Sequence, residues 1–262
     1  MRPIVALLTD FGTRDHYAGT MKGVILGICP EVTLVDITHE VPPHDVMTGA
    51  LELAASAKYF PSGTIFVVVV DPGVGSARRG IAVDTGDYRF VAPDNGVLTA
   101  VLRETPPKKA IELTERRYAR PTVSRTFEGR DRFAPAGAWL AKGIQLTALG
   151  RPASNVQMLE SPVPEIAADA ISGVVLRVDR FGNLVTNIDR KSMERLGQSV
   201  AIEAEGQSVS RLVATYAELP PEGVGALFGS TDHLEIAAPS ASAAERLQLS
   251  QGASVIVRRA AL

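Results

Sequence analysis

Along the first 150 residues the apolar positions fall into two textures. Short aliphatic and β-branched runs occur at 3–10 ("PIVALLTD"), 33–38 ("TLVDIT") and 64–71 ("TIFVVVVD"). Between them, apolar residues recur three or four apart over 17–28, 45–60, 95–104 and 133–143. The runs predict strands and the spaced segments predict helices. "IFVVVV" shows no polar alternation, which is what a strand covered by helices on both faces requires. Residues 79–93 predict a hairpin turning at Thr85, Gly86 and Asp87. Together these elements predict an α/β N-terminal domain with a mixed central sheet over 1–160.

The texture changes at 150–168, which is rich in Pro, Ser and Ala and has no period. A linker is placed there. Seven short runs follow, at 171–179, 183–188, 200–206, 209–216, 224–230, 233–239 and 254–260. They predict a smaller all-β, barrel-like C-terminal domain over 168–262.

Composition narrows the function classes. The net charge is −2, so the chain lacks the basic field of non-specific nucleic-acid binding, and no nucleic-acid partner is expected. The longest aliphatic run is far too short to span a membrane, and the N-terminus does not read as a signal peptide. With one cysteine, Cys29, no intrachain disulfide can form. These features read as a cytoplasmic protein without a membrane partner.

Candidate chemistry sits where strands end. Asp10, in "TDFG", closes the first strand, where ligands bind in open α/β sheets. Its carboxylate can accept two ribose hydroxyls or simply cap a helix. In "VVVVDPGVGSARRG", a buried strand delivers Asp71 to a Pro-Gly loop followed by Arg78 and Arg79. The spacing is not a dinucleotide fingerprint, and a structural Asp–Arg pair is the plain alternative. "TFEGRDRFAP" places Glu128 among Phe127, Gly129, Arg130, Asp131 and Arg132. It reads either as a salt-bridged helix start or as the wall of a site.

In the second half, "VDRFGNLVTN" carries Asp179, Phe181 and Asn183, and an aromatic two residues before an Asn suits a purine. "LFGSTDHLEIA" carries Ser230, Asp232 and Glu235, which suit a zwitterionic amino acid. The four histidines form no zinc spacing, and no nucleophile elbow is present. A metal-dependent hydrolase built on Asp10, Asp36, His39, Asp71 and Asp94 remains an alternative.

Taken in order, "TDFG", "VDITHEVPPHDV", "VVDPGVGSARR", "PDNGVLT", "TFEGRDRFAPAGAWLA", "DRFGNLVTNI" and "GSTDHLEIA" resemble the S-adenosyl-L-methionine (SAM) hydrolases. These are also called SAM hydroxide adenosyltransferases and are related to the fluorinating and chlorinating SAM enzymes. The resemblance runs over nearly the whole chain. It implies an α/β domain plus a β-barrel domain, and a homotrimer binding SAM between neighbouring subunits. It further implies attack of water on ribose C5′ to give adenosine and L-methionine, with no cofactor and no metal.

Position by position, the resemblance implies ribose binding by Asp10 and adenine contacts from Phe181 and Asn183. Asp179 and Ser230 match binders of the methionine end. Asp71 and Arg78 match two members of an Asp-Arg-His set that positions water, and Phe127 and Gly129 would shape its wall. In halogenating relatives the Asp71 position is tyrosine, so this chain favours water over halide. Two positions depart. Glu128 stands where the histidine is usual, and Pro239 stands where relatives often carry asparagine. A non-catalytic SAM- or adenosine-binding protein is therefore a second reading.

Overall fold

A computed structural model describes residues 2–197 and 199–260. The chain divides into two compact units, Met1–Leu159 and Glu160–Leu262.

The first unit contains β1 (Ile4–Thr9), α1 (Tyr17–Ile28), β2 (Thr33–Thr38), α2 (Val46–Ala57), β3 (Ile65–Val69), β4 (Gly80–Asp84), β5 (Arg89–Pro93), α3 (Thr99–Glu104) and β6 (Lys109–Leu113). A π-helical turn, Gly129–Phe133, then leads into α4 (Ala134–Ala141), and β7 (Gly150–Pro152) completes the sheet. The strand order is β2-β1-β3-β5-β4-β6-β7. Pairs β1/β2, β1/β3 and β3/β5 are parallel, whereas β4/β5, β4/β6 and β6/β7 are antiparallel, so the sheet is mixed.

Side chains in β1 and β3 alternate between two cores. Val5, Leu7, Ile65, Val67 and Val69 pack with Met21 and Ile25 of α1 and with α4. Ala6, Leu8, Phe66, Val68 and Val70 pack with Leu53 of α2 and with Val101 and Leu102 of α3. Both faces are dry, which is why these strands show no polar alternation. Asp45 caps α2, accepting from the Thr48 N–H at 2.9 Å and the Thr48 hydroxyl at 2.7 Å.

The second unit contains β8 (Glu165–Ile166), β9 (Ala170–Val178), β10 (Leu184–Asp189), β11 (Val200–Ala204), β12 (Gln207–Val209), β13 (Gly225–Phe228), β14 (His233–Ala237) and β15 (Ser254–Arg259). All of its strand pairs are antiparallel, in the order β12-β11-β15-β9-β10-β14-β13, with β8 on β9. The segment leaving β12 bonds to β13: Val213 N–H donates to Ala226 O at 2.8 Å, and Ala226 N–H donates to Arg211 O at 2.9 Å. The sheet thus bends round into a nearly closed barrel.

The strand expected over 209–216 does not form. It stops at Val209, and only Leu212 makes an isolated bridge, to Ala226. Local chemistry competes with the ladder: Glu218 accepts from the Ala214 N–H and the Thr215 hydroxyl, each at 3.3 Å, and turns the chain.

Candidate active site

Parallel pairing of β1 with β3 brings Thr9 opposite Val69. The carboxyl ends of two buried strands therefore lie side by side, and Asp10 and Asp71 follow from them. The chain between Asp71 and Gly80 makes successive tight turns, with Val74 N–H donating to Asp71 O and Ser76 N–H donating to Gly73 O. Gly75 has φ +77°, and a Cβ there would run into the carbonyl oxygen of Arg125. Only glycine lets this loop touch the segment that leads to Glu128.

The turn Gly129–Phe133 packs against α1, and a Cβ on Gly129 would lie 3.1 Å from Met21 Sδ. Its buried start carries Phe127 and Glu128 to the same place as Asp71. A cleft of about 310 Å³ opens there. Asp10, Asp71 and Glu128 line it, with Val69, Val74, Thr126, Phe127 and Gly129 around them and Phe11, Tyr17, Pro43 and His44 as further walls. Phe127 meets Tyr17 and Phe11 edge-on, with ring centroids 5.0 and 5.9 Å apart.

Arg78 joins the two carboxylates. Its Nε donates to Asp71 Oδ1 at 2.9 Å, and its Nη2 donates both to Asp71 Oδ2 and, at 2.5 Å, to Glu128 Oε2. The side chains of Asp71, Arg78 and Glu128 are 5%, 10% and 11% exposed, so the bridge is largely shielded from water. The guanidinium also lies 5.2 Å from the ring centre of buried Phe133. Burial pushes the Asp71 carboxyl above its ordinary range and the Glu128 charge adds to this, against the pull of Arg78. Arg132 supplies a second cation, donating to Glu128 Oε1 at 3.1 Å.

Asp10 Oδ2 accepts from the His44 backbone N–H at 2.9 Å, which orients the carboxylate and takes up part of its capacity for a diol. His44 itself has φ +70°. In the same "TFEGRDRFAP" motif, Arg130 and Asp131 form a structural pair. Asp131 is fully buried and accepts from Arg130 at 2.6 and 2.8 Å and from Ser124 N–H at 2.8 Å.

In the second unit, Asp179, Phe181 and Asn183 share one turn. Asp179 accepts from the N–H groups of Phe181 and Asn183 at 2.9 and 2.8 Å and from Asn183 Nδ2 at 2.9 Å. This network holds Phe181 out with 78% exposure. Buried Glu235 accepts from the Tyr216 hydroxyl at 2.6 Å. Burial, that hydrogen bond and the charges of Glu235 and Asp179 raise the Tyr216 phenol well above its usual range. Asp179, Tyr216 and Glu235 therefore share one neighbourhood. Ser230 is exposed in the turn between β13 and β14.

The five residues of the metal-hydrolase alternative do not converge. Asp94 is tied to Arg79 at 2.8 Å and to Gln157 N–H at 2.8 Å. Asp36 pairs with Lys22 at 2.5 Å. His39 Nδ1 lies 2.8 Å from Thr9 Oγ1, and its Nε2 lies 3.0 Å from Asp36 Oδ1 but out of line for a hydrogen bond. Among the described residues no group of three His, Cys, Asp or Glu side chains could hold a metal, and no helix is long and apolar enough to cross a membrane.

Sequence reasoning did not find His44, the aromatic wall of Phe11 and Tyr17, or Arg132. For Arg132 a signal existed, because Glu128 and Arg132 are four apart at a helix start, the spacing of a facing ion pair.

The fold and the cleft define a two-domain chain whose α/β half presents an arginine-bridged carboxylate pair at the ligand-binding end of its sheet. The chain belongs to the SAM hydroxide adenosyltransferase family: residues 5–150 match that family's N-terminal domain and residues 173–256 its C-terminal domain. It is similar to a protein of Thermus thermophilus named (R)-S-adenosyl-L-methionine hydrolase, with 37% identity over 97% of this chain and 99% of the relative. A protein of Actinoplanes sp. named fluorinase is 30% identical over 98% of each chain. The crystal structure of an uncharacterized conserved protein from Thermotoga maritima superposes with a TM-score of 0.92 at 33% identity, covering 97% of this chain and 100% of that one.

Proposed function

We propose that this chain hydrolyses SAM to adenosine and L-methionine. The observation that carries the reading is the Arg78 bridge, one guanidinium holding Asp71 and Glu128 together in the cleft that Asp10 also lines. Water oxygen forms a bond to ribose C5′ as the C5′–S bond breaks, and that electron pair neutralises the sulfonium. One water proton is lost to a carboxylate and then to solvent. Asp71 and Glu128 accept hydrogen bonds from the water and aim it, while Arg78 offsets their mutual repulsion. Because charge disappears as attack proceeds, a dry and fixed site contributes more than proton transfer alone.

Asp10 takes the ribose, and Phe127 and Gly129 form the wall beside the water. Asp179 and Ser230, with Glu235 nearby, hold the methionine end, and Phe181 and Asn183 meet the adenine. The exposed Phe181 suits a ring that awaits a planar partner. The assembly proposed is a homotrimer with sites shared between neighbouring subunits. It is placed in the cytoplasm, with domains at 1–160 and 168–262 and no cofactor or metal.

The test is incubation with SAM and chromatography of the products. Adenosine and methionine in equal amounts are expected, with Glu128→Ala slower by about 10²–10⁴-fold, the range for general-base assistance. Near wild-type turnover by Glu128→Ala would remove its role. A second reading, a non-catalytic SAM-binding protein, is favoured by Glu128 standing where histidine is usual. It predicts saturable SAM binding without products over hours. Halide-dependent 5′-halo-adenosine in a chloride arm would instead indicate a halogenase, which Asp71 argues against.

A further inference from the structure

The structure assigns Arg132 as a positioning residue of this site: it fixes the Glu128 carboxylate as the acceptor that aims the attacking water, an inference that rests on the hydrolase reading above.

A buried carboxylate with no partner takes up a proton or swings toward solvent. Glu128 is only 9% exposed, yet each of its oxygens has its own guanidinium. Oε2 accepts from Arg78 Nη2 at 2.5 Å and Oε1 accepts from Arg132 Nη1 at 3.1 Å. Arg78 cannot do this alone, because its Nε and Nη2 already serve Asp71. A single cation would face two anions. Arg132 brings the four side chains to zero net charge.

Arg132 is itself held in place. Its Nη2 donates to the carbonyl of Leu113 on β6 at 3.1 Å, so the clamp is referred to the sheet and not only to its own turn. With one donor on each oxygen the carboxylate cannot rotate, and of its roughly four acceptor sites two remain for water. The other groups near Glu128 are accounted for. Asp71 and Arg78 come from the loop after β3. Asp10, Tyr17 and His44 line the same cleft. Arg130 bonds Asp131.

The experiment uses the full chain with Arg132→Gln, which can keep a donor for Leu113 but loses the charge, and Arg132→Lys, which keeps the charge. With SAM as substrate, Arg132→Gln should lower kcat by about 10–100-fold, the scale of a misplaced reacting group, with KM within a few-fold. Arg132→Lys should recover part of the loss. In a Glu128→Gln background, Arg132→Gln should add little, because the two act as a unit. In ¹³C NMR of glutamate-labelled protein at neutral pH, the Glu128 carboxyl resonance should move in Arg132→Gln and stay near its parent position in Arg132→Lys.

An unchanged kcat, or an equal loss in the Glu128→Gln background, would overturn the assignment, as would an unmoved Glu128 resonance in Arg132→Gln. If the parent releases no adenosine, the hydrolase reading fails, and the resonance still decides whether Arg132 holds Glu128. Should Arg132→Gln not fold, the Arg132→Lys spectrum and kinetics serve: a Glu128 resonance identical to the parent at much reduced kcat would count against the assignment.

Discussion

Asp71 shows how a single residue carries two opposing demands. In the proposed reaction it must be a carboxylate to accept a hydrogen bond from water, yet burial and the nearby Glu128 charge both favour its protonated form. Its pKa in the folded protein lies above the unfolded value. Its contribution to stability is therefore complete below the unfolded value and is lost as pH rises through the folded one. The site tolerates this because Arg78 donates twice to the ionised form. In the proposed reaction activity has the reverse dependence, since only the ionised form can aim the water. The acid limb of the kcat/KM profile should fall with a midpoint above about 4, the ordinary aspartate value. A pH–rate profile with SAM checks this. A midpoint at or below that value would mean that Arg78 outweighs burial. At the same scale Asp131, one residue past Arg130, titrates the other way. Burial alone would raise it, but Arg130, Ser124 N–H and Arg120 together hold it below its usual range. The two aspartates differ because burial, with the Glu128 charge added, outweighs the pull of Arg78 at Asp71, whereas Arg130, Ser124 N–H and Arg120 outweigh burial at Asp131.

At the level of elements, the chain between β7 and β8 behaves as a tied segment over its first half. Arg79 donates to Ser154 O at 3.0 Å and to Asn155 O at 2.8 Å while pairing with Asp94. Asp94 accepts from Gln157 N–H at 2.8 Å and Thr99 Oγ1 from Leu159 N–H at 2.7 Å. Arg79→Ala should release 153–159 first. Amide exchange there should speed up by about tenfold or more, while the strands of the central sheet stay protected. Uniform protection in the variant would show that the segment is held by other contacts. Sequence texture suggested a linker over 150–168, but Pro, Ser and Ala composition says nothing about which backbone groups have partners elsewhere. The same limit explains β6. "KAIEL" is too short to stand out, and becomes a strand because β4 and β7 pair with it on either side. The buried runs at β1 and β3 were legible because covering both faces forces uninterrupted apolar sequence. The π-helical turn was not legible, because nothing local distinguishes it from the start of α4. It nonetheless decides which way Glu128 and Arg132 face.

At the scale of the whole molecule, the candidate residues fall into two groups, each ordered within its own unit. Asp10, Asp71, Arg78 and Glu128 belong to the first unit. Asp179, Phe181, Asn183, Ser230 and Glu235 belong to the second. Motif order in the sequence made both groups visible, but spacing cannot tell which copy of the chain supplies each group to one substrate. A mixing experiment can. Glu128→Ala damages the first group, and Asp179→Asn with Phe181→Ala damages the second. In the proposed homotrimer, each site draws the first group from one subunit and the second from its neighbour. Unfolding and refolding an equal mixture of the two inactive proteins then scrambles the subunits. About a quarter of the sites should receive both intact groups, from the probability of an intact partner on each side of a heterologous interface. Adenosine release should return to about a quarter of the parent rate per site. Sedimentation of the parent should give about three times the 27.8 kDa chain mass. If the refolded mixture sediments as a trimer and stays inactive, shared sites are excluded even though the assembly stands. If it sediments as a single chain, the trimer itself is excluded, and the exposed Phe181 requires a different partner.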